Sequence, residues 1–136
     1  DPTGFLAMQG QKFPISEIGI LKLIDKLIER GELDRDNPDI SVTVIPDQKI
    51  DETPTQVIQI RRSKPSDNED DFSLAEIVLD PERQLILSYR AFGWPAQKGD
   101  DPPLMESYTY HDVKTNVGLK KSDFDPKNPE YNFPAI

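Results

Sequence analysis

The chain reads as an α+β protein in which one amphipathic helix packs against an antiparallel β-sheet. Three observations carry that class. One stretch near the amino end keeps helical apolar spacing, several later stretches alternate apolar and polar residues, and no second helical pattern separates them. With 136 residues, 35% of them hydrophobic, the chain has the size of one domain with one core, and residues 1–136 are expected to form it.

Taken in order, Gly4, Gly10, Pro2 and Pro14 frame Phe5-Leu6-Ala7-Met8, which predicts a short extended apolar segment entering a turn. The helix is expected at 16–30. Ser16 is placed to cap it, Glu17 suits its positive first turn, and Ile20, Leu23, Ile24, Leu27 and Ile28 form the apolar stripe. Lys26 and Arg30 suit its negative end, and Gly31 stands where a left-handed cap is wanted.

Ile40, Val42 and Val44 alternate with Ser41, Thr43 and Ile45, a strand that Pro46-Asp47 is expected to end. A second strand, at about 55–62, carries Val57, Ile58 and Ile60 and should pair antiparallel with the first. Residues 72–79 and 84–92 form a hairpin around Asp80-Pro81-Glu82-Arg83, with Pro at the second turn position. A fifth strand runs from Leu104 to Thr115, and the tail, rich in Asp-Pro and Asn-Pro steps, should be irregular apart from one helical turn opened by Ser122.

Charge and composition exclude much. The net charge of −9, from 16 Lys+Arg against 25 Asp+Glu, argues against nucleic acid or an anionic membrane surface as partner. No apolar run approaches the length of a membrane-spanning helix, since Lys22, Asp25 and Lys26 break the most apolar stretch. With no Cys and one His, disulfides, thiol catalysis and Cys- or His-rich metal centres are out. The acidic loops miss the calcium-loop pattern: counting from Asp34, Gly and Glu are required where Asp39 and Ile45 stand; counting from Asp123, where Asn128 and Pro134 stand. No glycine pattern cradles a phosphate, and no cofactor is expected.

Catalysis finds no constellation either. Glu76 and Glu106 are the best paired-carboxylate candidates, but strand alternation accounts for both as solvent-facing or edge positions. His111 beside Asp112 has no nucleophile motif to serve. The expectation is a protein without catalytic or metal-binding residues, and not an enzyme. The aromatics Phe92, Trp94, Tyr108 and Tyr110 are the candidate ligand-binding residues, because a curved sheet lined with aromatics can hold an acyl chain or another apolar ligand. A second reading uses the sheet edge and Pro-rich loops, including Gly93 to Pro103, to dock a protein partner.

Four segments together carry a family resemblance: Gly4-Phe5-Leu6-Ala7-Met8-Gln9-Gly10; Pro14-Ile15-Ser16-Glu17-Ile18-Gly19-Ile20; Glu106-Ser107-Tyr108-Thr109-Tyr110 with Asn116-Val117-Gly118-Leu119; and Asp123-Phe124-Asp125-Pro126-Lys127-Asn128-Pro129. In these the chain resembles a bacterial family of secreted proteins of unknown function, related to the LolA/LolB-like carriers that sort outer-membrane lipoproteins. The resemblance implies a half-open antiparallel barrel holding a helix, a periplasmic or outer-envelope location, and a lipid or lipoprotein ligand between sheet and helix. It also implies that the chain is the C-terminal portion of a larger half-barrel domain, whose exposed edge and apolar face a second chain or further segment would cover.

Overall fold

The computed structural model describes residues 3–10, 14, 17, 19–67 and 71–133. Five strands follow one another in space as in sequence: β1 (Ile40–Ile50), β2 (Thr53–Arg62), β3 (Leu74–Asp80), β4 (Leu85–Phe92) and β5 (Leu104–Thr109). Every neighbouring pair is antiparallel, so the sheet is a meander with β1 and β5 as its edges. A one-turn helix α1 (Phe5–Met8) and a long helix α2 (Ile20–Asp34) precede the sheet. The α+β class and the half-open antiparallel sheet expected from the sequence are therefore what the chain forms.

Several boundaries differ from expectation for local reasons. The segment around Phe5 is a helical turn, closed by the Met8 amide on the Gly4 carbonyl at 3.0 Å, where an extended segment was expected. Helix α2 starts at Ile20 and continues through Gly31 to Asp34, where the sequence predicted 16–30 with Gly31 as cap. The predicted cap Ser16 lies outside the described residues. An interior Gly costs about 1 kcal/mol relative to Ala. That cost is offset one turn on, where Arg30 Nε donates to Asp34 at 2.7 Å and the sheet's Arg62 donates to the same carboxylate at 2.7 Å.

Strand β1 does not stop at Pro46. It runs on to Ile50 through an irregularity between Ile45 and Gln48, with Asp47 at φ 57°. An edge strand tolerates this, because the missing proline N–H faces no second partner strand. The reversal into β2 takes only Asp51 and Glu52, both with positive φ (45° and 66°), the backbone of the tightest hairpins. The β3–β4 turn forms as expected: Asp80 accepts from the amides of Glu82 and Arg83, each at 3.0 Å, and from Arg83 Nε at 2.6 Å. Strand β5 ends at Thr109 instead of Thr115. Tyr110 still donates to the Leu87 carbonyl at 2.8 Å, but β4 begins at Leu85 and Asp112 turns the chain away at φ 50°. In the tail, 3-10 turns form at Lys121–Phe124, where one was expected, and at Pro129–Tyr131.

The sheet is curled. Neighbouring strands lie about 4.8 Å apart, so the β1–β2 turn and the end of β5 would stand roughly 14 Å or more apart in a flat sheet. Instead His111 Nδ1, just beyond β5, is 2.8 Å from Asp51 Oδ2 in that turn. Twist accumulated over five strands brings the two ends of the meander together and makes one face concave. Helix α2 lies across that face.

Candidate functional site

Two cross-strand rows build the concave face. Register aligns Val42, Ile60, Ala75, Ala91 and Glu106 in one row, and Val44, Ile58, Ile77, Tyr89 and Tyr108 in the next. Alternation sends the intervening residues to the other side, where Gln59 Nε2 and Arg90 Nη2 hold Glu76 at 2.8 and 2.6 Å. Glu76 and Glu106 thus lie on opposite faces and cannot work as a carboxylate pair. His111 meets Asp51 and not Asp112. Among the described residues no group of three His, Asp or Glu is arranged to hold a metal ion, and no helix is long and apolar enough to cross a membrane.

Helix α2 covers the rows without sealing them. Leu23 and Leu27 reach down to a cluster of Phe72, Ala75, Tyr89 and Ala91, yet no residue of the helix is buried. What remains between helix and sheet is a groove of about 530 Å³, walled by Leu23 and Leu27 and floored by Ile60, Ala75, Tyr89 and Tyr108. Its depth follows from the small side chains Ala75 and Ala91 at the centre of the sheet. Tyr89 and Tyr108 stack at the β5 side with ring centroids 6.3 Å apart.

Charge closes one end. Arg62 and Asp71 are nearly fully buried, with side chains 3% and 4% exposed, and Arg62 Nε lies 3.0 Å from Asp71 Oδ1. Asp34 receives both Arg62 and Arg30 at 2.7 Å, and the two guanidinium groups sit 5.2 and 5.7 Å from the Phe72 ring centre. This cluster of two Arg and two Asp sums to no net charge and ties the C-terminal end of α2 to the sheet. Near the other end Lys26 meets Glu17 at 2.9 Å. Burial pushes the Tyr89 phenol up to about 12, with the Glu106 carboxylate adding to the rise and Arg30 opposing it. Burial also raises Tyr110.

Of the four aromatics singled out in the sequence, Tyr108 and Tyr110 line the groove. Phe92 does not: it falls on the opposite face, in cation–π contact with Arg90 at 5.8 Å. Trp94 lies past the end of β4, outside the lining, with Nε1 buried and without a hydrogen-bond partner. Tyr89, Phe72 and the alanines were not singled out. Tyr89 sits two residues before Ala91 on one strand, so its face was legible from alternation, but its place beside Tyr108 depends on strand register.

Comparison with known proteins adds a family and no function. Residues 1–133 match the family described as "Protein of unknown function (DUF1571)". No curated protein and no solved structure matches the chain.

Proposed function

We propose that this chain, which belongs to the DUF1571 family, is a non-enzymatic binding protein that holds a lipid, a lipoprotein's acyl group or another apolar ligand between α2 and the concave face of its sheet. One observation carries the reading: the helix lies over the sheet with no buried residue, leaving a groove of about 530 Å³ floored mainly by aliphatic and tyrosine side chains. That volume is within the range of small-ligand sites, and an apolar lining with a few polar groups is the usual makeup of such sites. A relation to lipoprotein-sorting carriers, and with it a periplasmic or outer-envelope setting, belongs to the same proposal. Its supports are the half-open sheet crossed by a helix and the sequence motifs that resemble that group.

Native mass spectrometry of protein purified without detergent, followed by solvent extraction, tests the reading, together with titration of an environment-sensitive fluorescent acyl probe. Co-purifying lipid or saturable probe binding supports it. Empty protein that leaves the probe dark sinks it.

A second reading has its own observation. Leu104 and Met105 are 58% and 38% exposed on the free edge strand β5, directly after the Pro-rich 95–103 loop. That edge suits addition of a strand from a protein partner. Deleting the loop and comparing captured partners with those of the intact chain discriminates: unchanged recovery argues against docking there.

A further inference from the structure

The concave face is covered unevenly. On β3 and β4 its residues Ala75, Tyr89 and Ala91 are buried, whereas Val42 and Val44, in the same two rows on β1, are 62% and 54% exposed. Strand β1 is also an edge of the sheet. The Ser63 amide donates to the Asp39 carbonyl at 2.8 Å. Antiparallel alternation from that bond turns the backbone of Ser41 and Thr43 toward β2, and that of Val42 and Val44 toward the open side. Two uncovered valine side chains thus stand beside two amides and two carbonyls that the β1–β2 ladder does not use.

Charge and sequence limit what fits there. Sheet edges are ordinarily guarded by charged side chains, proline or bulges. Residues 40–45 hold none of these, since Pro46 and the irregularity of β1 come only after Ile45. In a chain of net charge −9, an uncharged edge offers nothing to attract a basic partner and nothing to repel a second copy. Ile40-Ser41-Val42-Thr43-Val44 also matches itself when reversed: aliphatic, hydroxyl, aliphatic, hydroxyl, aliphatic. Pairing two copies about Val42 sets valine on valine and Ile40 on Val44 across the concave side, with Ser41 on Thr43 behind them. Such β-branched and hydroxyl pairs are favourable across strands. In that register Asp39 lies opposite Ile45, whereas the register centred on Thr43 brings Asp39 toward Asp47. A contact that uses the same edge of both copies closes at two.

We propose that β1 pairs antiparallel with β1 of a second copy of this chain, about a two-fold axis at Val42, to give one continuous sheet. Val42 lines the groove, so the partner subunit's Val42 and Val44 extend the apolar floor past its open β1 side. The pairing stands on the strand edge alone; its effect on the groove rests on the ligand site proposed above.

Sedimentation of the intact chain over a wide concentration range tests it, and the mass is expected to double as concentration rises. Val42→Lys sets two ammonium groups opposite each other and should weaken self-association roughly tenfold or more. Leu104→Lys, on the other edge, should leave it unchanged. Because the sequence has no Cys, Val42→Cys supplies a single thiol. Residues opposed in a hydrogen-bonded antiparallel pair have Cα atoms about 5.5 Å apart, within disulfide reach. Mild oxidation should therefore link two copies of that variant and leave Leu104→Cys unlinked. A chain that stays monomeric throughout, a dimer that Val42→Lys leaves intact, or linkage at Leu104 as ready as at Val42 overturns the inference. A monomer that still binds an acyl probe overturns the pairing and leaves the groove reading standing.

Discussion

Asp34, on the last turn of α2, and Arg62, at the end of β2, meet in a two-point contact, with both carboxylate oxygens 2.7 Å from Arg62 Nη2. The contact joins helix to sheet at the closed end of the groove. Asp71 and Arg30 complete the cluster, so no member is a buried charge without a counter-charge.

Removing one member should therefore cost more than the pair contributes. Arg62→Leu leaves the buried Asp71 with only the more distant Arg30, at 3.7 Å, as counter-charge, and a loss of about 3 kcal/mol in urea denaturation is expected. The exposed pair of Lys64 and Asp39, at 2.9 Å, is the control: Lys64→Ala should cost less than about 1 kcal/mol. Equal losses would show that the cluster does not anchor the helix.

Gly31 lies inside α2 with a helical backbone, and a Cβ placed on it meets nothing within 4 Å. Gly31→Ala should therefore stabilise the chain by about 1 kcal/mol, read as a rise in thermal midpoint. The sign is decisive, since a glycine acting as a left-handed cap would lose stability on the same change.

Leu27 faces the groove and is only half-buried, whereas Phe72 is 7% exposed in the core. Leu27→Ala should cost about 1 kcal/mol and weaken acyl-probe binding, while Phe72→Ala should cost about 3 kcal/mol or more. A Leu27 variant as damaging as the Phe72 variant would mean that the helix seals the sheet.

Asp80 is 3% exposed, and hydrogen bonds from Arg83, first its amide and then its side chain, hold the carboxyl below its ordinary value of 3.8. A depressed carboxyl pKa stabilises the fold above the unfolded value, and that stability is lost as pH falls through the folded value. Denaturation midpoints followed down from neutral pH should therefore fall below about pH 4. Asp80→Asn should lower the midpoint at neutral pH and flatten the acid limb. An unchanged acid limb in the variant would assign the loss to other groups.

Tyr89 gives the opposite limb. Its phenol is pushed from 10.0 up to about 12 by burial, so its stabilisation is complete below pH 10 and declines as pH rises toward 12. Ultraviolet titration should show the Tyr89 phenol ionising last, after the Tyr110 phenol that burial also raises, and Tyr89→Phe should abolish that last step. A titration in which all phenols ionise together would remove Tyr89 from the groove's buried floor.

The sequence by itself determined the class and the order of elements. Alternation at Ile40 to Val44 and at Val57 to Ile60, the apolar spacing from Ile20 to Ile28, and the Asp80-Pro81 turn are local signals, and each element formed where its signal lies. Local signals failed where a distant residue outweighed them. Gly31 did not end α2, because Arg62 of the sheet holds Asp34 one turn further on, and Pro46 did not end β1, because an edge strand has no second neighbour to miss its N–H. Of the candidate site, Tyr108 and Tyr110 were legible in the sequence, and the rest belonged to tertiary structure. Which face Tyr108 shares with Tyr89 is set by register across strands, and the curl of the sheet under α2 decides whether apolar side chains form a filled core or an open groove. Alternation tells which residues share a side of one strand; only the packing of strands and helix tells what that side encloses.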